Sequence, residues 1–325
     1  MDSVINVSNL TKTFKVPVKN PGFLGTISSI FSRSYREIKA VDKISFKVKA
    51  GELVGFIGPN GAGKTTTLKI LSGLLHPSEG EVSVLGFTPW QRKTQFQKQF
   101  ALVAGQKNQL WWDLPSYDSF LLNKEIYGVP NSVFKKTLTE LVDLLDLGKL
   151  LKTPVRKLSL GERMKAELVA ALLHAPRVLF LDEPTIGLDL VAAKKLRDFI
   201  KNYAKTGATI ILTSHNMGDI KELCQRIIII NLGKIIFDGA LDEIVAKYSD
   251  HKIISMIFEK PVERAKLASF GRVTDFNTLT AAVEVGRTEI SKIASDLLVN
   301  LPIADLTIEE PPIEEIIAEI FTAKS

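Results

Sequence analysis

The chain has 325 residues, of which 45% are hydrophobic and 24% charged, with a formal net charge of +6 and one cysteine. This composition is ordinary for a globular protein, and the length suits one main domain with a smaller one. The single cysteine, Cys224, excludes an intramolecular disulfide and fits a reducing compartment. No apolar run approaches the roughly 20 residues that span a bilayer, and the first residues lack a signal-peptide pattern, so we expect a cytosolic protein.

The first fifty residues are predicted to form an antiparallel β subdomain. The runs VINVSNLTKTFKV and AVDKISFKV alternate as strands do, and the second ends at the turn Ala50-Gly51. This region holds nine basic and three acidic residues. A basic flank can attract anionic lipid or nucleic acid, or be only the solvated face of strands. Because no nucleic-acid motif accompanies it, we expect no nucleic-acid partner.

The segment between these two strands is longer than a usual hairpin loop. Apolar residues recur in it at helical spacing and are followed by Arg33 and Arg36, which predicts a short amphipathic helix. This helix would pack either on its own domain or on a partner at the membrane. The apolar residues concerned are Phe23, Leu24, Ile27, Ile30 and Phe31.

Three later apolar runs each end in a polar motif. ELVGFIG precedes PNGAGK, RVLFL precedes DEP, and ATIILTS precedes His215. Such runs, separated by helical patterns, predict a parallel sheet buried on both faces, with its chemistry at the carboxyl ends of the strands. Helical patterns from about residue 115 to 175 predict a helical subdomain inserted between the first two runs.

The pattern changes again near residue 246. HKIISMIFEK and LTAAVEVG have the composition of strands, whereas RTEISKIASDLLVN and PIEEIIAEIF have helical spacing. We therefore expect a main α/β domain over residues 1–245 and a small accessory α+β domain over residues 246–325.

The segment GPNGAGKTT, between an apolar strand and the helical TTTLKILSGLL, matches the phosphate-binding loop of P-loop NTPases. Its glycines let successive backbone N–H groups face an anion at a helix N-terminus. Lys64 would meet the β- and γ-phosphates, and Thr65 would offer a hydroxyl to Mg²⁺. The predicted nucleotide-binding residues of this loop are Gly58, Pro59, Asn60, Gly61, Ala62, Gly63, Lys64, Thr65 and Thr66.

Two carboxylates and a histidine are predicted at the same edge of the sheet. Asp182 ends the run VLFL, where an acidic residue holds Mg²⁺ in P-loop enzymes. Glu183 follows directly and could deprotonate the water that attacks the γ-phosphate. His215 follows the third apolar run, and this position predicts a sensor of the γ-phosphate.

The loop GQKNQLWWDLP carries a further candidate. The side-chain carbonyl of Gln106 could join the Mg²⁺ shell while its loop reports the nucleotide state, and Gln109 is the alternative. The adjacent Trp111 and Trp112 predict either contact with a partner protein or a place in the core of the helical subdomain.

A second segment also has features of an anion-binding element. In KLSLGERMK, Ser159 is a candidate helix cap and Gly161 a turn residue, although a purely structural helix start has the same features. One nucleotide site does not need two anion-binding elements from a single chain.

Taken together, these motifs resemble those of the ATP-binding subunit of an ABC transporter, over roughly residues 4–245. The resemblance implies the P-loop fold of the ABC ATPases, with ATP and Mg²⁺ as cofactors. The matching motifs are GPNGAGKTT with Walker A, VLFLDEP with Walker B and its catalytic glutamate, Gln106 with the Q-loop, LSLGE with the signature, Gly187-Leu188-Asp189 with the D-loop, and Thr213-Ser-His215 with the switch histidine.

The resemblance also accounts for the second anion-binding element. In this family two ATP-binding domains pair head to tail, and the P-loop of one and the signature of the other enclose the same ATP. Ser159, Gly161 and Asp189 would then serve a nucleotide that Lys64 of the opposite copy holds. The opposite copy would be a second copy of this chain or a paralogue.

Some positions depart from the family pattern. Leu160 and Glu162 stand where the signature usually has Gly and Gln, although Ser159 and Gly161 remain. The aromatic residue that stacks on adenine, usually a tyrosine, is most simply Phe14, with Phe31 and Tyr35 as alternatives.

Within the family, GQKNQLWWDLP, the signature region and EEPPIEEIIAEIF are similar to bacterial ABC-2-type export systems, in which the ATPase pairs with separate membrane permeases. We therefore expect an Mg²⁺-dependent ATPase that drives export and lies peripherally on the inner face of the cell membrane. An importer ATPase and a soluble ABC protein without a transport role are the alternatives.

Overall fold

The computed structural model describes residues 3–17, 35–104 and 109–322. The chain divides into two compact units, Met1–Asp238 and Gly239–Ser325. The domain boundary expected after residue 245 stays a prediction. The amphipathic helix expected at Phe23–Phe31 lies outside the described residues. Within the described part of the chain, no helix combines the length and hydrophobicity needed to cross a membrane.

The strands of the first unit alternate with helices after an initial antiparallel pair. The strands are β1 (Ser3–Pro17), β2 (Tyr35–Lys49), β3 (Leu53–Ile57), β4 (Glu79–Val84), β5 (Phe100–Ala104), β6 (Val178–Asp182), β7 (Thr209–Ser214), β8 (Arg226–Asn231) and β9 (Lys234–Ala240), the last of which crosses the boundary between the units. The helices are α1 (Lys64–Leu71), α2 (Thr94–Gln97), α3 (Ser116–Tyr127), α4 (Asn131–Leu145), α5 (Leu160–Leu172), α6 (Leu190–Ala204) and α7 (Met217–Leu223).

The N-terminal sheet has the strand order β2-β1-β4 and is antiparallel. Its strands bury alternate side chains, because successive residues of a strand point to opposite faces. Ile5 and Val7 of β1 and Phe46 and Val48 of β2 belong to the same buried cluster. The predicted antiparallel subdomain is therefore confirmed.

The central sheet has the order β5-β6-β7-β3-β8-β9. β5, β6, β7, β3 and β8 are parallel. The apolar runs of β3, β6, β7 and β8 are buried almost throughout, as expected for strands covered on both faces. The register aligns Ile57 with Ser214 and Asp182 with Thr213. Consequently the three polar motifs predicted from the sequence emerge at one edge of the sheet.

A helical part lies between β5 and β6 in the sequence and consists of α3, α4 and α5. On α4, Phe134, Leu138, Leu141 and Leu145 are buried, which is the spacing of one helix face. The predicted helical insertion into the sheet domain is confirmed.

The second unit is a small α+β structure. Its antiparallel sheet has the order β11-β12-β10-β13 and covers a core that includes Ile254, Met256, Val283 and Leu297. β11 and β13 were not predicted from the sequence, and their residues are mostly exposed. The elements are α8 (Leu241–Tyr248), β10 (His251–Phe258), β11 (Arg272–Asn277), β12 (Thr280–Gly286), α9 (Ile290–Asn300), β13 (Ile303–Glu309) and α10 (Ile313–Thr322).

Candidate functional site

The loop between β3 and α1 folds back around the side chain of Lys64. This side chain is 5% exposed, and its Nζ donates hydrogen bonds to the carbonyl oxygens of Gly58, at 2.6 Å, and Pro59, at 3.1 Å. No side chain caps the N-terminus of α1, where Gly63 occupies the N-cap position. The first N–H groups of the helix are therefore available to an anion.

Close backbone approach explains two glycines of this loop. A Cβ atom on Gly58 would lie 2.1 Å from the carbonyl oxygen of Ile230 on β8. Gly63 has a φ of +109°, and a Cβ there would lie 2.4 Å from the carbonyl oxygen of Ala40 on β2. The loop is thus fitted between the central sheet and the N-terminal sheet, and only glycine suits these two positions.

Asp182, at the end of β6, accepts two hydroxyl hydrogen bonds on the same oxygen. Thr65 Oγ1 lies 3.1 Å from Asp182 Oδ1, and Thr213 Oγ1 lies 2.7 Å from it. The first bond joins the predicted phosphate loop to the predicted metal ligand. The contact of Thr213 was not predicted from the sequence; it follows from the register of β7 with β6, which places Thr213 beside Asp182.

Glu183 lies between two basic side chains. Its Oε1 is 3.9 Å from Lys64 Nζ and 3.4 Å from His215 Nδ1. The Glu183 side chain is 16% exposed, whereas that of His215 is 54% exposed. The structure therefore brings together Lys64, Glu183 and His215, which belong to three separate motifs of the sequence.

The backbone of Glu183 has an uncommon conformation. Its φ is +54°, in the left-handed region that non-glycine residues rarely occupy. Its N–H lies 3.1 Å from the carbonyl oxygen and 3.0 Å from the hydroxyl of Thr213. Such outliers persist where surrounding contacts hold them, and they concentrate at functional sites.

Burial and charge act in opposite directions on the Lys64 ammonium group. Burial lowers the pKa of Lys64, and the carboxylates of Glu183 and Asp182 raise it again in part. The two carboxylates therefore help to keep a positive charge in a mostly buried position.

The second anion-binding candidate is a helix start with a complete capping box. Ser159 Oγ accepts the N–H of Glu162 at 3.3 Å, and Glu162 Oε2 accepts the N–H of Ser159 at 2.8 Å. Ser159 itself is exposed. Glu162, which departs from the family pattern in sequence, therefore makes a capping contact in the structure.

The start of α5 packs against the start of α6. A Cβ on Gly161 would lie 3.4 Å from Ala192, and the Leu160 side chain closely covers Gly187. Asp189 caps α6 by accepting the N–H of Ala192 at 2.8 Å. Ser159, Gly161 and Asp189 thus belong to a group of contacts separate from those around Lys64.

The remaining predicted residues lie around these two groups. Phe14 lies on β1 and pairs with Ile38 of β2, which precedes Ala40 by two residues. The Nζ atom of Lys12 is 5.3 Å from the centroid of the Phe14 ring. Tyr35 begins β2 and is exposed. Gln106 and the alternative Phe31 lie outside the described residues.

Comparisons with known proteins agree with these features. Residues 41–186 match the family model described as ABC transporter, and residues 250–309 match that of the EvrA-like ABC transporter C-terminal domain. The linearmycin resistance ATP-binding protein LnrL of Bacillus subtilis is 27% identical, over 87% of this chain and 94% of its own. The Nod factor export ATP-binding protein I of Burkholderia orbicola is 32% identical, over 75% of this chain and 81% of its own.

Solved structures also match the chain. One, described as the structure of the ATP-binding subunit of an ABC transporter, has a TM-score of 0.64 and 26% identity, over 76% of this chain and 93% of its own. The dimeric cassette MJ0796, bound to ADP and Pi, has the same fold with a TM-score of 0.61, 23% identity, and 73% and 98% coverage. The chain therefore belongs to the ABC transporter family, as an ATP-binding subunit that hydrolyses ATP.

Proposed function

We propose that this chain is an Mg²⁺-dependent ATPase that powers export through separate integral membrane permease subunits. It would act in a head-to-tail pair with a second copy or a paralogue. Two sets of contacts at one edge of the central sheet carry the proposal. Thr65 contacts Asp182, and Glu183 contacts both Lys64 and His215.

The residues at the end of β6 fit a magnesium ion. Thr65 and Asp182 offer a hydroxyl and a carboxylate oxygen 3.1 Å apart, and hard oxygen ligands are those that Mg²⁺ prefers. Two protein ligands leave positions for water and for phosphate oxygens. When bound, the ion would neutralise charge that develops on the phosphates. Gln106 is the further ligand that the family resemblance implies.

Glu183 has the position of a general base. Its backbone is held at the end of β6 by hydrogen bonds from its N–H to the carbonyl oxygen and hydroxyl of Thr213. Its carboxylate lies beside the ammonium group that would bind the β- and γ-phosphates. It would take a proton from the attacking water, and His215 would contact the γ-phosphate from the neighbouring strand. Phe14 is the candidate for stacking on the adenine ring.

The signature motif would complete the site of the opposite copy. Ser159 is exposed at a helix N-terminus, where a phosphate is favoured. Gly161 and Asp189 support this helix start and the adjacent α6. The chain thus has both halves of a composite site, and a symmetric pair would contain two of them.

Export and the permease partner are supported by the relatives and by an exposed surface. The relatives include a Nod factor export protein and a linearmycin resistance protein. Trp111 and Trp112 are 58% and 48% exposed, and large exposed aromatic side chains favour a protein contact. We assign this surface to the permease and the protein to the inner face of the cell membrane.

Cysteine cross-linking tests the head-to-tail pair. Asn60→Cys and Ser159→Cys would be introduced into a Cys224→Ser, Glu183→Gln chain. Mg-ATP should promote a disulfide between two chains, because Asn60 and Ser159 would face each other only across the pair. Lys205→Cys in place of Ser159→Cys is the control, and it should not cross-link. A bond within one chain, or cross-linking that ATP does not increase, would contradict the proposal.

A further inference from the structure

A buried carboxylate lies on α5, the helix that begins after Ser159. Glu167 is 2% exposed, and its Oε1 lies 3.4 Å from the backbone N–H nitrogen of Gln109. Arg163, one turn earlier on the same helix, has its Nε 3.8 Å from the same oxygen. Glu167 was not predicted as a functional residue, because a single acidic residue in a helical pattern forms no motif.

The segment that Glu167 contacts has other attachments to the domain. Gln109 Nε2 donates to the carbonyl oxygen of Leu102 on β5, at 3.0 Å. The N–H of Trp111 donates to Ser119 Oγ on α3, at 3.2 Å. The guanidinium of Arg163 lies 5.9 Å from the centroid of the Trp112 ring. Residues 109–112 therefore connect the central sheet, α3 and α5.

The burial of Glu167 is not explained by stability. A buried carboxylate with one long hydrogen bond and one ion pair at 3.8 Å is poorly compensated for the loss of water. Burial accordingly raises the pKa of Glu167 to about 7, against the opposing effects of the Gln109 N–H and of Arg163. An apolar side chain would suit the surrounding core of α5 better, so the carboxylate has another role.

We propose that Glu167 is a positioning residue. Its carboxylate accepts a hydrogen bond from the backbone N–H of Gln109 and so fixes residues 109–112 to α5. This inference rests on the proposed function, because the segment directly follows the Q-loop candidate Gln106 and carries the two exposed tryptophans. A shift of residues 109–112 would then be passed to α5, which begins directly after Ser159. Glu167 thus ties the segment with the two exposed tryptophans to the helix that would serve the opposite copy.

Two substitutions separate this role from packing. Glu167→Leu removes the hydrogen-bond acceptor, whereas Glu167→Gln keeps a carbonyl oxygen that can accept the Gln109 N–H. Asn123→Ala is the matched control, because it removes another hydrogen bond to α5, from Asn123 Nδ2 to the carbonyl oxygen of Ala170 at 3.2 Å. All variants are made in the full chain.

Hydrogen exchange and steady-state kinetics are the measurements. We expect Glu167→Leu to speed exchange in the peptide that covers Gln109 by about tenfold, the effect of losing one hydrogen bond. We expect kcat to fall by about the same factor while KM for ATP changes less than about twofold. Glu167→Gln should restore both values to near those of the native chain, and Asn123→Ala should leave them unchanged.

Several outcomes would overturn the inference. In Glu167→Leu, hydrogen exchange at Gln109 could be unchanged, or protection from exchange could be lost evenly over the chain. The third such outcome is that Glu167→Gln behaves like Glu167→Leu. If Glu167→Leu does not fold, Glu167→Asp, which withdraws the carboxylate by one methylene, must show the same local exchange increase. A native chain that does not hydrolyse Mg-ATP would instead refute the proposed function and leave the exchange result intact.

Discussion

Glu183 Oε1 lies 3.9 Å from Lys64 Nζ, and both side chains are largely buried at the edge of the central sheet. The pair joins the loop after β3 to the end of β6. A carboxylate so close to the ammonium stabilises its charge, which burial alone would weaken. The same pair places the predicted base beside the group that would hold the γ-phosphate.

Replacing Glu183 by Gln should stop turnover without preventing ATP binding. A positioned general base contributes about 10²- to 10⁴-fold to the rate, and glutamine cannot accept the proton. Single-turnover hydrolysis and equilibrium ATP binding measure the two effects separately. Glu140→Gln, at an exposed position of α4, is the control and should behave as the native chain. A Glu183→Gln chain that keeps near-native turnover would exclude Glu183 as the base.

Two glycines of the phosphate loop should differ sharply in their tolerance of alanine. Both have positive φ, but a Cβ on Gly61 meets no atom within 4 Å, whereas one on Gly63 meets the carbonyl oxygen of Ala40 at 2.4 Å. We expect Gly61→Ala to lower the free energy of unfolding by about 1–2 kcal/mol, the cost of a left-handed residue. Gly63→Ala should lower the free energy of unfolding by more, roughly 3 kcal/mol or above, because the backbone must move to make room for the added Cβ. Denaturant unfolding measures both, and equal losses would mean that the contact with Ala40 is unimportant.

Glu162→Gln should strengthen the interaction of the signature with the nucleotide of the opposite copy. Glutamine can still accept the Ser159 N–H, so the capping box is retained while the negative charge is removed. The Glu162 carboxylate would repel a phosphate bound at the same helix N-terminus, where charge effects are worth about 0.3–1 kcal/mol. Half-maximal ATPase activity of Glu162→Gln should therefore need about two- to fivefold less ATP at low salt. High salt should reduce the difference by screening. An identical ATP dependence at all salt concentrations would show that Glu162 does not face the phosphate.

The titration of Glu167 should appear in the pH dependence of stability. Burial raises the pKa of its carboxyl from 4.5 to about 7. Because the folded chain binds this proton more tightly than the unfolded chain, protonation of Glu167 favours the fold. This contribution is fully present below about pH 4.5 and is lost as the pH rises through about 7. Glu167→Gln does not titrate, so its advantage over the native chain should grow across this window to roughly 3 kcal/mol at most by pH 8. Thermal unfolding at pH 5 and pH 8 tests this, and a difference that does not change with pH would contradict it.

Much of the site could be predicted because its residues are contiguous or stand at strand ends. The glycines, Lys64 and Thr65 are contiguous, from the end of a strand into the first turn of a helix, and Asp182 and Glu183 directly follow an apolar run. A parallel sheet brings such ends to one edge whatever the details of packing. The bond of Thr213 to Asp182 and the left-handed φ of Glu183 could not be predicted, because they depend on the register between β6 and β7.

By itself, the sequence determined the initial antiparallel strands, the three parallel strands that end in polar motifs and the helical insertion between them, since these follow from local patterns. The tertiary structure alone decided which side chains meet. Thr65 and Asp182 are 117 positions apart, and Glu167 lies 58 positions after Gln109. Contacts over such distances depend on sheet register and on how a helix face is turned, and a one-residue slip or a rotation of α5 would separate them. No local pattern encodes that choice, because it is settled by the packing of the whole domain.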